Sequence, residues 1–149
     1  MTKQNETVTP SGTQTKAFKI FETLPDPLPL FPAFPLHTCP GDFRDVQHGP
    51  FTIRATIKPD HDSRPEDSEA YAENAVKAWT ADEWQFVGIV LSVHLDDLEL
   101  DDHAASLWGV ECNFPGGDNL YLSECADDLL PEALERAEQL RATLAAKLK

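Results

Sequence analysis

Basic side chains are scarce in this chain: 12 Lys and Arg stand against 26 Asp and Glu, for a formal net charge of -14. Phosphate affinity comes mainly from clustered Lys and Arg, so direct nucleic-acid binding is not expected, nor is binding to an anionic membrane. Cysteine is also sparse. Cys39, Cys112 and Cys125 form an odd, widely spaced set with no C-x-x-C pair, which argues against a disulfide scaffold and fits a reducing, cytoplasmic setting. Nor do Cys and His reach zinc-ligand spacing, since His37 and Cys39 lie far from Cys112 and Cys125, so no metal site is expected. No apolar run approaches the roughly 18 residues of a membrane span, and the first residues carry no apolar signal region. A P-loop, a G-x-G-x-x-G turn, a G-x-S-x-G elbow and an H-E-x-x-H helix are all missing. The sequence therefore assigns no catalytic residue and no cofactor, and it favours a binding role over an enzyme.

What is present is one domain's worth of chain, 149 residues of which 41% are apolar, with the charge unevenly placed. Residues 1–50 hold 4 basic and 5 acidic side chains, residues 51–149 hold 8 and 21. The C-terminal two thirds carry the field, which steers toward basic partner surfaces. Residues 1–16 are rich in Thr, Ser, Gln and Asn and predict a disordered tail. Residues 17–50 include LPDPLPLFPAFP with its five prolines, and they predict an extended arm that is neither helix nor inner strand.

From residue 51 onward the patterns change. FTIRATI at 51–57 alternates as a half-buried strand, AYAENAVKAWTADE at 70–83 reads as a short amphipathic helix, and WQFVGIVLSVHL at 84–95 is apolar on both faces, as a central strand is. An acidic turn at 96–102 and a further strand at 104–113 predict a long hairpin. After FPGGDN the chain reads as helix to its end, with Pro131 either opening the main helix or kinking a longer one. The order β-α-β-β-α predicts an α+β fold, a small antiparallel sheet packed with a long C-terminal helix. With helices on one sheet face, the arm is expected to cover the other face, at Phe86 and Val90. A swapped arm in a homodimer and a proline-rich ligand for another protein are the alternatives.

Two acidic features are candidate partner-binding sites. The turn carries Asp96, Asp97, Glu99, Asp101 and Asp102; it lacks the register and glycine of a calcium loop. At 100° per residue, Glu124, Asp128, Glu132, Glu135 and Glu138 fall on one helix face opposite a Leu- and Ala-rich face. Asp60, His61, Asp62, Glu66 and Asp67 form a weaker acidic group. Glu111 is expected on a strand face with Leu107 and Gly109, away from Trp108, Val110 and Cys112, and paired at the rim with an arginine such as Arg54.

At FVGIVLSV (86–93), SLWGVE (106–111) and PGGDNLYL (115–122), followed by a Leu- and Ala-rich helix, the chain resembles a group of small uncharacterised proteins carried by bacteriophages and mobile elements. The resemblance spans about residues 51–149 and brings no catalytic residue with it. It implies a context: small acidic proteins of this kind often inhibit a host defence system. The resulting expectation is a non-enzymatic anti-defence module, cytoplasmic in the host cell. Its acidic face would meet a protein with a basic surface, such as a CRISPR or restriction complex, in the manner of a DNA mimic. The alternatives are a small metal-dependent hydrolase using Glu111 with Asp118, and a virion or assembly component using the arm.

Overall fold

The computed structural model describes residues 30–148. Four strands form one antiparallel sheet in chain order: β1 (Phe43–His48), β2 (Phe51–Pro59), β3 (Gln85–Leu95) and β4 (Leu98–Cys112). A 3-10 turn (Pro65–Asp67) and helix α1 (Glu73–Thr80) connect β2 to β3, and helix α2 (Leu120–Lys147) ends the fold. This is the α+β architecture the sequence predicts, with one strand more. The extra strand, β1, lies within the span read as an extended arm. Its sequence FRDVQH is proline-free between Pro40 and Pro50 and pairs in full register with β2, His48 opposite Phe51.

The second difference is the hairpin. Leu95 pairs with Leu98, so the turn is only Asp96 and Asp97, and Glu99, Asp101 and Asp102 lie within β4. Asp96 takes a left-handed φ of 52°, which Asp tolerates better than most residues.

The core lies between one sheet face and α2. On that face Ile53, Ala55 and Ile57 of β2 pair directly with Val93, Leu91 and Ile89 of β3, flanked by Phe51 and Val87, and Leu122, Leu130, Ala133, Leu134 and Ala137 of α2 close over them. Pro131 lies inside α2 and is buried, so it interrupts one long helix and does not start it.

Of the span 17–50 read as the arm, residues 30–42 before β1 join this same core and leave the opposite sheet face alone; residues 1–29, which hold the expected tail and the start of the arm, lie outside the described residues. Phe31 and Phe34 are buried against α2, each contributing about 2 kcal/mol. The Phe31 N–H donates to Asp127 Oδ1 at 2.9 Å and the Phe34 N–H to Ser123 Oγ at 3.1 Å. From β1, Arg44 donates to the Ala33 carbonyl at 2.9 Å and lies 5.3 Å over the Phe34 ring. Phe86, which the arm was expected to cover, instead sits beneath Tyr71 and Trp84, with ring centroids 5.9 and 5.1 Å away. The physical reason is competition for aromatic surface: the segment around α1 carries Tyr71 and is tethered by Trp84, whose Nε1–H donates to the Ala75 carbonyl at 2.8 Å.

A buried polar knot fastens the arm to the β4–α2 connection. Asn113 Oδ1 accepts from the Thr38 N–H at 2.9 Å and Asn113 Nδ2 donates to the Thr38 carbonyl at 2.9 Å. Asn119 Oδ1 accepts from the Asn113 N–H at 2.8 Å, while Asn119 Nδ2 points at the Leu36 carbonyl at 2.9 Å and Thr38 Oγ1 at 3.2 Å. Both asparagines have left-handed backbones, φ 63° and 65°. Asn119→Ala combines a buried unpaired network with a left-handed strain penalty, and we expect a loss of about 3 kcal/mol in urea denaturation. Asn119→Gly removes the strain alone and should recover about 1 kcal/mol; full recovery would show that the side-chain bonds contribute nothing.

Burial pushes the Asp127 carboxyl above its ordinary range; the Phe31 N–H bond pulls it back in part, and Asp128 pushes it further up. A carboxyl raised in the folded state favours folding while protonated, so its contribution declines as pH rises past its unfolded value near about 4. Asp127→Asn keeps an acceptor for Phe31. It should match or exceed wild-type thermal stability at pH 7, by no more than about 1 kcal/mol given partial exposure, and lose that advantage below about pH 4. Asp127→Leu, without an acceptor, should be destabilised at both.

Candidate interaction surfaces

The predicted acidic helix face exists, but the fold spends part of it. Glu124, Asp128 and Glu132 are exposed and have no cationic partner among the described residues, whereas Glu135 is half-buried. Glu138 meets His48 Nε2 at 2.7 Å and Arg141 Nε at 3.3 Å. Asp101 turns toward α2 and accepts from Arg136 Nε at 2.7 Å. Burial works against the Asp101 carboxylate, but the Arg136 and His103 N–H bonds overcome it and hold its pKa below the usual value. Arg136 therefore stands between the helix row and β4, and the two acidic ridges are not continuous. Asp96 and Asp97 are exposed at the hairpin tip, Glu99 lies 3.8 Å from His94 Nε2, and Asp102 is exposed on β4.

Glu111 and Asp118 have separate partners. Tyr71 donates its hydroxyl to Glu111 Oε2 at 2.6 Å, Asp118 Oδ1 accepts the Leu120 N–H at 3.0 Å, and Arg54 pairs with Asp45. The expected rim pairing of Glu111 with Arg54 is replaced by a tyrosine. A bulge also changes the faces on β4. Val87 pairs with Val110 but Ile89 with Leu107, so Trp108 and Glu111 share one face while Val110 and Cys112 enter the core. The bulge is held by Asp60, which accepts from the Gly109 N–H at 2.8 Å, from Ser63 Oγ at 2.8 Å and from the Asp62 N–H at 3.0 Å. Burial alone would raise the Asp60 pKa; these bonds bring it below its ordinary value.

Among the described residues no helix covers the sheet face opposite α2 beyond Phe86, although Val90 and Ser92 on that face are buried. Phe43, Thr56, Val90 and Ser106 form one cross-strand row and Asp45, Arg54 and Ser92 the next. Arg54 donates Nε and an Nη to the two Asp45 oxygens at 2.9 and 3.1 Å and lies 4.0 Å over the Phe43 ring. Phe43, Arg54, Thr56, Val90 and Ser92, with Lys58, His94 and Trp108, line a shallow groove of about 490 Å³. Ser92 Oγ meets His94 Nε2 at 2.8 Å, and the Glu99 carboxylate approaches that same nitrogen. A serine–histidine–acid relay needs serine and acid on opposite ring nitrogens, so this arrangement is not one. The groove is not marked by any motif in the sequence, although Gly88 inside the apolar run from Phe86 to Leu91 is the mark of a close approach.

Among the described residues no cluster of His, Cys, Asp and Glu is arranged to hold a metal ion, and no helix is long and apolar enough to cross a membrane. The three thiols are free, Cys39 exposed and the other two buried. No family profile, curated protein or solved structure matches the chain. Its function is therefore argued from its own geometry.

Burial first, then the Glu111 hydrogen bond and charge, push the Tyr71 phenol up to about 12. Its neutral form is favoured in the fold, so its contribution holds below the unfolded value near about 10 and is lost as pH rises through the folded one. In an ultraviolet phenolate titration, Glu111→Gln should bring the Tyr71 midpoint down while burial keeps it above about 10. An unchanged midpoint would mean that the Glu111 charge does not reach the phenol.

Proposed function

We propose that this protein is a non-enzymatic binding module whose α2 face docks on a Lys- and Arg-rich surface of a partner protein. The observation that carries the reading is the contrast among its carboxylates. Asp45, Asp101 and Glu138 are each paired with a cationic or histidine side chain, whereas Glu124, Asp128 and Glu132 follow one another along an exposed face without one. Solvent-exposed rim charges set on-rate, salt dependence and orientation more than affinity, which suits a reversible docking surface.

In its narrower form, resting on the resemblance to phage and mobile-element proteins, the partner is a defence complex that handles nucleic acid, and docking blocks its basic surface. Magnitude limits how far duplex mimicry goes. Glu124 to Glu132 spans about 12 Å of helix, a length over which duplex DNA presents about 7 phosphate charges, and Arg136 interrupts the approach to β4. The patch supports a local charge contact with a basic surface in preference to a full phosphate array.

The test is affinity capture with the tagged full chain from host lysate at about 50 mM and 500 mM salt, across which screening strengthens markedly. A defined partner should be retained at low salt and released at high salt. The variant carrying Glu124→Lys, Asp128→Lys and Glu132→Lys should melt close to wild type, because these side chains are exposed on α2 and form no ion pair among the described residues. It should bind that partner at least about tenfold more weakly. Capture that survives both the salt and the triple reversal would leave the face merely solvated.

A further inference from the structure

We propose that the uncovered sheet face binds a planar aromatic anion, its ring stacked on Trp108 and its negative group held by Lys58. This site lies on the opposite side of the sheet from α2 and is independent of the acidic docking face.

Trp108 is 45% exposed, yet its ring is fixed on one side and at one edge. It lies over Gly88, where an added Cβ would overlap ring atoms Cε3 and Cζ3. Its Nε1–H donates to Ser106 Oγ at 3.2 Å, and that hydroxyl is itself bonded to His103 Nε2 at 2.8 Å. A large part of a positioned indole is thus left to solvent, toward the sheet groove and toward the loop from Pro59 to Ser63. Ring ordering, a common cost of binding, is largely met before a ligand arrives. Aromatic stacking on such a surface is sequence- and substituent-tolerant and worth about 1–3 kcal/mol per ring.

Lys58 pairs directly with Gly88 across β2 and β3, so it emerges one strand spacing, about 4.8 Å, from the residue beneath the ring. Both side chains line the same groove. Arg54 on this face is occupied by Asp45 and Phe43. Lys58 is exposed and has no acidic partner among the described residues, so its ammonium group is available to a ligand. Glu99 and Asp102 at the far end of the groove disfavour a second negative group, which limits the ligand to one ring system with one compact anion. A phosphate monoester and a carboxylate both meet that description.

The experiment is a nitrogen-15 NMR titration of the full chain, following the indole N–H signals of its three tryptophans. The probes are adenosine monophosphate, anthranilate and, as the uncharged comparison, adenosine. At least one anion should shift the Trp108 indole signal saturably with a midpoint below about 1 mM, the lower bound of useful affinity. Which anion does so distinguishes a phosphate from a carboxylate ligand. Adenosine should bind at least about fivefold more weakly than the monophosphate, and Lys58→Gln should erase that preference. Trp108→Ala should abolish binding of every probe; the exposed Lys58 variant keeps the test decisive if Trp108→Ala fails to fold. No saturable shift with either anion, or a midpoint unchanged in Lys58→Gln, overturns the proposal.

Discussion

A four-stranded sheet has two faces, and the described residues supply one long helix with which to cover them. α2 and the Phe31–Phe34 segment take the face formed by alternate residues of β2 and β3, where burial of Ile53, Ile57, Ile89 and Val93 is complete. α1 spans only Glu73–Thr80 and cannot do the same on the other side. It brings Tyr71 and Trp84 over Phe86, and there its reach ends. Beyond that point the exposed side is made tolerable by composition: Thr52, Arg54, Thr56 and Ser92 project from strands whose opposite faces are wholly apolar. The groove with Trp108 and Lys58 is the part of the sheet that the available helix leaves bare.

The excess of negative charge is less free than a formal count suggests. Compact acidic proteins carry a self-repulsion cost, and several carboxylates here reduce it by serving as acceptors inside the fold. Asp60 holds the β4 bulge, Asp101 ties β4 to Arg136, Asp127 receives the arm's Phe31 N–H, and Asp45 clamps Arg54 over Phe43. Each converts a charge into a specific tether between distant segments. Carboxylates without such a tether stand on the outer face of α2, at the hairpin tip and along the connection from Asp62 to Glu83.

The parts of this arrangement legible in sequence were those governed by local period. The helical spacing from Glu124 to Glu138 and the two-sided apolar run of β3 are readable because each repeat repeats itself. β1 was not, because FRDVQH has only two large apolar residues and stands among prolines, where edge pairing to β2 supplies the structure that its own pattern does not. The hairpin tip was drawn too wide because LDDLELDD looks like a solvated charge run, although Leu98 and Leu100 already keep strand alternation. Neutralisation of Asp101 and Glu138 depends on Arg136, His48 and Arg141 meeting them in space. None of those pairings is marked by spacing except the i,i+3 contact of Glu138 and Arg141.

Both surfaces converge on β4. At Asp101 the strand addresses α2, and at Trp108 it addresses the open face. Two residues are added on β4 between Asp101, opposite Val93, and Ala105, opposite Leu91; an even insertion keeps the alternation in phase, so 101 and 108 stay on opposite faces. What fixes the outcome near Trp108 is the bulge at Gly109, with φ of 74°, whose N–H is held by Asp60 from the loop after β2. That single contact sets the phase of the strand's last residues. It lets Val110 and Cys112 enter the core while Trp108 lies across Gly88 beside Lys58. Asp60 thereby acts as a positioning residue for the groove, since loss of its bond to Gly109 would free the bulge to slip and carry the indole away from the lysine.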